Sequence, residues 1–357
     1  MALALQDLNS YTNQWIVPKM TDVYFKNDPW LARLQSRNKV SFPGGTQIVR
    51  PLAFAKLNGD FFDRTDSFNT SYVVTDTALQ VAMKYAYVNI SLYGTDDVLN
   101  MGPEAVFSMV TTKMKSAGGT MSERLSQALY KDGQSSALDV AASGAPPVLS
   151  TQTSFTGALS WIDDGNTGSG YPVATGLTKS FASVGQIARA DLQTVQSTGS
   201  STSTANLGGL NAYTNRAFSS FTLSEIQNAC GKAWYGNDFV DLILTNQPGY
   251  DKFWQATQPL QRYTDSNTDL AKIGFNSFRF NQADVVVSKY MPEGLMLGIN
   301  SKYVEFYITN NRKFQLGFTG FKEAQNTVNL SGQYLFAGNL LISNPRTCFK
   351  LVGSALQ

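Results

Sequence analysis

Residues 222–262 read TLSEIQNACGKAWYGNDFVDLILTNQPGYDKFWQATQPLQR and hold a helix, a strand and a second helix with almost no loop between them. Thr222 and Glu225 have the spacing of a capping box, in which each side chain satisfies an orphan amide of the helix start. Ile226, Ala229, Cys230 and Ala233 then mark one apolar face at helical spacing. FVDLILT reads as a buried strand, and Pro248 stands where a following helix begins. The rest of the chain offers this unit no visible catalytic apparatus. It contains 0 histidines, which excludes Ser-His-Asp and Cys-His nucleophiles and histidine metal sites. Ser-Lys or paired-carboxylate chemistry stays formally open. Asp163-Asp164, followed by Gly165, reads as a turn, because adjacent side chains do not converge. Gly44-Gly45 and Gly208-Gly209 lack the strand, spacing and lysine of a phosphate loop. No cofactor and no metal are expected, and the residues point to a structural protein, not an enzyme.

At 357 residues the chain has room for two or three domains, or for one core carrying long excursions. Charged residues make up 15% of it, against about 25% in an average soluble protein. Scarce charge beside abundant Ser, Thr, Asn and Gly suggests that much of the surface is buried against other copies; the bland alternative is a neutral, polar monomer. A net charge of +2 is too small for an electrostatic grip on nucleic acid. The nearest basic cluster, Arg33, Arg37 and Lys39 with Asp28 partly cancelling it, reads as a solvated or inter-subunit segment. Cys230 and Cys348 fall in segments that read as buried helix and strand, and nothing pairs them by spacing, so a reducing birthplace is the simpler inference. No apolar run reaches the ~18 residues of a membrane span, and MALALQDLNS lacks the features of a secretion signal. A soluble product, cytoplasmic when made and without membrane contact, is expected.

Residues 1–40 mix polar side chains with scattered large ones (Trp15, Tyr24, Phe25, Trp30, Leu31, Leu34) at no fixed period, which describes an extended arm. From 40 to about 100 the signal is β: TQIVR at 46–50 forms one strand, and Leu79, Val81, Met83, Tyr85 and Tyr87 alternate along a second, longer one. DFFDRTDSFNT lies between them, so the segment reads as a two-stranded ribbon with a mobile tip. An isolated ribbon is marginal in water and must lie on something. Gly102-Pro103 then opens a long helix, whose apolar stripe runs through Val106, Val110, Met114, Ala117, Met121, Leu125 and Ala128. Gly118-Gly119 leaves two readings, one bent helix or two in sequence, and the single bent helix is favoured. Residues 133–153 and 194–206 read as Gly/Ser/Thr-rich loops, and strands dominate after Ile273, closing with TCFKLVG.

Taken in order, SFTGALSWIDDGN, GQIAR, TLSEIQNACGKAWYGN, DLILTNQPGYDKF, PLQRY, FRFNQADVVVSKYMPEGLMLGINSKYVEF and ISNPRTCFKLVG resemble the major capsid proteins of tailed bacteriophages across residues 40–355. The resemblance implies an α+β Hong Kong 97-like fold. Residues 1–40 would be the N-terminal arm, 41–101 the extended loop (E-loop) and 102–150 the peripheral domain with its spine helix. Residues 151–311 would be the axial domain, and 312–357 strands returning to the peripheral domain. It implies self-assembly as hexamers and pentamers into an icosahedral head in the host cytoplasm, enclosing double-stranded DNA contacted without specificity. A portal protein and cement proteins are implied partners, and a separate scaffolding protein is expected because no long N-terminal scaffolding region is obvious. Trp30, Leu79, Met83 and Tyr85 are the expected inter-subunit residues. Some relatives weld their shells with Lys–Asn isopeptide bonds; Lys56 and Lys84 lie in the loop, but nothing names a pair. The departure from the pattern is an enlarged Ser/Thr/Gly-rich stretch at 165–206. Rival readings are an encapsulin-like compartment storing enzymes, a phage tail or baseplate protein and, more distantly, a hydrolase using Asp163 and Asp164.

Overall fold

The structure, a computed structural model, describes residues 28–53, 57–93, 109–131, 155–163, 183–184, 187–188, 211–215, 218, 221–257, 277–311, 315–318, 322–323 and 329–353. In chain order the elements are α1 (Pro29–Arg37), β1 (Lys39–Phe42), β2 (Gln47–Ala53), β3 (Asp76–Ala82), β4 (Lys84–Tyr93), α2 (Met109–Leu129), α3 (Ala158–Trp161), β5 (Ser183–Val184), β6 (Ile187–Ala188) and β7 (Tyr213–Asn215). There follow α4 (Leu223–Ala233), β8 (Leu242–Thr245), α5 (Gln247–Thr257), β9 (Ser277–Phe280), β10 (Ala283–Val287), β11 (Leu295–Ile299), β12 (Val304–Thr309), β13 (Gln315–Phe318), β14 (Lys322–Glu323), β15 (Asn329–Ile342) and β16 (Phe349–Val352).

The unit at 222–262 folds as its pattern predicts. Ile226, Ala229, Cys230 and Ala233 are the buried face of α4, and β8 is buried at every position. The capping box does not form: Thr222 is the N-cap residue with extended backbone, but its side chain makes no capping bond. Thr222 is exposed, so solvent reaches the amides it was expected to satisfy. β8 is the fourth strand of a six-stranded sheet ordered β7-β16-β11-β8-β10-β9. Alternate residues divide between its two faces. Ile243, Val285, Met296, Phe349 and Leu351 pack with α4 and Phe253 of α5, whereas Leu242, Leu244, Val286, Leu295 and Leu297 join a larger core that also takes in α1 and α2. Cover on both faces is why LILT carries no polar alternation. Between β9 and β10, Asn281 and Gln282 both take positive φ (46° and 71°), the backbone of a two-residue hairpin turn.

The second six-stranded sheet is organised by β15. β4 runs antiparallel along one edge of it, from Lys84 opposite Gly338 to Tyr93 opposite Asn329. β12, β13 and β14 pair in succession along the other edge, and β1 adds in parallel to β12. The expected single strand through 79–87 is therefore two strands, with Met83 at the junction. Leu79, Val81 and Met83 are buried, but beyond Lys84 the phase reverses: Tyr85 and Tyr87 face outward and Ile90 and Leu92 are buried. β3 pairs with β2 while β4 pairs with β15, and the change of partner turns the strand over.

Residues 28–37 correct the expected arm. Asp28 caps α1 by accepting from the Leu31 amide at 3.1 Å, and Pro29 stands at the first helical position. Trp30, Leu31 and Leu34 belong to the central core, with Trp30 against Tyr130 at a ring separation of 5.2 Å. Burial holds the Asp28 carboxyl above its usual range, although Ser288, the Leu31 amide and Tyr130 all donate to it. Arg33, read from sequence as part of a solvated basic cluster, is buried and bonds Asp241 at 2.5 Å with Asp284 3.7 Å away. Residues 1–27, the remainder of the arm, lie outside the described residues, as do 133–153 and 194–206.

α2 is one continuous helix through Gly118-Gly119, about 30 Å long; its expected start at Gly102-Pro103 lies outside the described residues. Ala117, Met121, Leu125 and Leu129 form its buried stripe, while a Cβ at Gly118 would meet nothing within 4 Å. Gly118→Ala is therefore expected to raise stability by about 0.5–1 kcal/mol. Gly157, at the N-cap of α3, is the opposite case: a Cβ there would lie 2.2 Å from the Lys131 carbonyl and 2.4 Å from that of Ala128. Gly157→Ala should cost at least about 2 kcal/mol, since backbone must move. Urea midpoints of the two variants, shifting in opposite directions from wild type, are the check.

Candidate functional site

Where β2 and β3 separate, the chain leaves the body of the protein. The ribbon is fixed at its base: Ile48, Leu79 and Val81 are buried, Arg50 pairs with Glu305 at 3.3 Å, and Asn339 donates to the Ala82 carbonyl at 2.8 Å. Toward the tip that support ends, and every residue from 57 to 72 is exposed. Four aromatic side chains stand there, with Phe61 at 101%, Phe62 at 68%, Phe68 at 69% and Tyr72 at 89% exposure, alongside Leu57 and Val74.

The finger holds its shape without a strand ladder. Asn58 donates to the carbonyl and hydroxyl oxygens of Ser71 at 3.1 and 2.9 Å and so braces one side against the other. A turn is closed by the Asp63 amide donating to the Asp66 carboxylate at 2.7 Å and the Asp66 amide donating to the Asp63 carbonyl at 3.0 Å. The Phe62 and Phe68 rings meet edge to face at 5.1 Å. These contacts set the finger's form but shield little of its apolar area. A phenyl ring brings about 1.5–3 kcal/mol when fully buried, and a contiguous exposed apolar patch marks an interaction surface.

The four residues expected at subunit contacts are divided by the structure. Trp30 and Leu79 are 2% and 0% exposed within their own chain, and Met83 is 8% exposed, so none has surface left for a neighbour. Their apolar side chains are satisfied by α1, α2 and the sheets, which corrects the expectation for those three. Tyr85 is 72% exposed on the outer face of β4, with Tyr87 beside it. Lys84 is partly covered and burial lowers its ammonium pKa, while Lys56 lies outside the described residues. The phenylalanines of the tip were missed as site residues. Their signal was aromatic side chains in a turn-rich stretch with no period of two, which cannot lie on a sheet of its own.

A second exposed aromatic group follows α4. Trp234, Tyr235 and Phe239 are 59%, 44% and 40% exposed on a turn closed by mutual backbone bonds between Tyr235 and Asp238, each 3.0 Å. Asp238 accepts from Lys302 at 2.7 Å and from the Tyr303 hydroxyl; these two hydrogen bonds hold its carboxyl below the usual carboxylate range. The Arg346 guanidinium lies 3.7 Å from the centre of the Tyr235 ring.

Asp163, read from sequence as half of a turn and as the hydrolase candidate, is fully buried and bonds Lys350 of β16 at 2.7 Å, both side chains being shut from solvent. Its carbonyl also accepts from the Ala212 amide at 3.1 Å. The pair fastens the α3 segment to the β8 sheet. Asp164 lies outside the described residues.

No protein-family model and no curated protein matches the chain in sequence. Solved structures match it over nearly its whole length. The capsid of cyanophage A-1(L) is similar with a TM-score of 0.62 and 13% identity, covering 96% of this chain and 97% of that one. The capsid of a native GTA particle is similar at 0.59 and 10% identity, covering 99% of each. The SrpI encapsulin of Synechococcus elongatus is similar at 0.55 and 11% identity, covering 98% of this chain and 94% of that one. The chain therefore has the fold that phage capsids and an encapsulin share.

Proposed function

We propose that this chain is the major capsid protein of a tailed phage, assembling from its own copies, as hexamers and pentamers, into an icosahedral head around double-stranded DNA. The observation that carries this reading is the aromatic finger at 57–72: on a chain of shell-protein fold, it is exposed from end to end. A monomer would bear that apolar area in water, whereas a neighbouring copy removes it. Contacts that repeat head to tail and close by rotation give rings, and rings of two sizes give a closed shell. Assembly takes place in the bacterial cytoplasm, with separate scaffolding, portal and cement proteins as partners. The chain's own work is mechanical, holding contacts against the load of packed DNA.

The likeness to an encapsulin supports a second reading, a compartment that stores protein cargo. Particles purified from the native source and treated with nuclease separate the two. Nuclease-protected double-stranded DNA inside uniform shells is the expected result; shells holding a protein cargo and no nucleic acid would favour the compartment.

A further inference from the structure

The tip of the finger and the turn after α4 complement each other in two independent ways. Asp60, Asp63 and Asp66 stand against Arg64 on the finger, three carboxylates to one guanidinium, so the tip carries a net charge of −2. Against the turn, Lys302 from the segment before β12 and Arg346 from the segment before β16 join Asp238, two cations to one carboxylate, a net +1. Each also presents exposed aromatic rings, Phe61, Phe62 and Phe68 on one and Trp234, Tyr235 and Phe239 on the other. Other exposed aromatics fit less well. The outer face of β4 reads Tyr85, Tyr87, Asn89 and Ser91 and carries no charge. Trp254 stands on α5 one turn from exposed Asp251, which would repel an acidic tip.

Resting on the reading that the chain self-associates, we propose that the finger tip of one copy seats on the 234–239 turn of another, with its phenyl rings on Trp234, Tyr235 and Phe239 and its carboxylates toward Arg346 and Lys302. The Arg346 guanidinium already rests over the Tyr235 ring, which holds its fork of donors ready for a carboxylate. The Asp238–Lys302 bond and the Tyr303 hydroxyl fix the turn before the finger arrives, so little ordering remains at docking. Aromatic packing supplies the affinity, and the charges select this surface over the neutral face of β4.

Two engineered cysteines in the full chain test this. Ser67→Cys with Asn237→Cys, exposed positions beside the rings that leave every aromatic side chain in place, oxidised in assembled particles and run on a non-reducing denaturing gel, should give a ladder of linked subunits. Ser67→Cys with Tyr87→Cys should leave monomers. The native Cys230 and Cys348 are buried, and burial pushes their thiols up to about 11 and about 12, so they do not compete. Particles with no 67–237 ladder, or with a ladder from both pairs, overturn the docking site and leave self-association standing. If the wild-type chain forms no particles, both readings fall. Charge reversal gives a second readout: Arg346→Glu should lower the assembled fraction about tenfold. Adding Asp60→Lys and Asp63→Lys to the same chain, which keeps the Asp66 carboxylate that closes the finger's turn, should restore it, and no restoration would count against the pairing.

Discussion

Replacing Phe61, Phe62 and Phe68 together by serine should leave a folded chain that no longer assembles. All three rings are exposed and belong to neither hydrophobic core, so the unfolding free energy of the single chain should change by less than about 0.5 kcal/mol. The edge-to-face contact of Phe62 with Phe68 is lost, but only within the finger. Assembly stands differently. Each ring buried against a neighbour contributes about 1.5–3 kcal/mol, so losing all three weakens each finger contact by at least about 4.5 kcal/mol, or more than a thousandfold. Sedimentation velocity should show the loss of large particles, and urea unfolding should show an unchanged midpoint. Deleting residues 58–70 should act in the same direction. Shells of wild-type thermal stability built from either variant would remove the finger from the account.

The largest effect on folding is expected at Lys350. Its ammonium and the Asp163 carboxylate lie in a dry site, each the other's counter-charge at 2.7 Å. Lys350→Met keeps the apolar stem and removes the carboxylate's buried counter-charge, which should cost about 3–5 kcal/mol. Converting the partner as well, Asp163→Leu with Lys350→Met, should recover most of that loss, because a buried ion pair is often replaceable by well-packed apolar side chains. Urea unfolding of the two variants decides it. A single variant within about 1 kcal/mol of wild type would mean that solvent reaches the site after all.

Much of this architecture was legible in the sequence. Both helices and the strand of 222–262 fell where apolar period and Pro248 placed them, although the capping box at Thr222 does not form; β8 is buried on both faces and its LILT run admits little else. The stripe through Ala117, Met121 and Leu125 likewise marked the buried face of α2. What could not be read depended on partners distant in sequence. Arg33 looked solvated because Asp241 and Asp284 lie more than two hundred residues away, and Asp163 looked like a turn because its counter-charge is on β16. The exchange of strand partner at Met83 was hidden because the apolar alternation continues through Tyr85 and Tyr87, while the faces reverse at Lys84. Of the four residues expected at subunit contacts, Tyr85 is exposed, whereas Trp30, Leu79 and Met83 are buried within their own chain. Local pattern thus read the elements, and non-local charge and strand pairing decided which residues remained for contact with other copies.

Sedimentation velocity of the purified wild-type chain tests the central claim most directly. A free subunit has a mass of 39.0 kDa. The account predicts a boundary at many times that mass, from closed shells, with free subunits confined to low concentration. A single stable species at the mass of one chain, fully folded and unchanged as concentration rises, would contradict it.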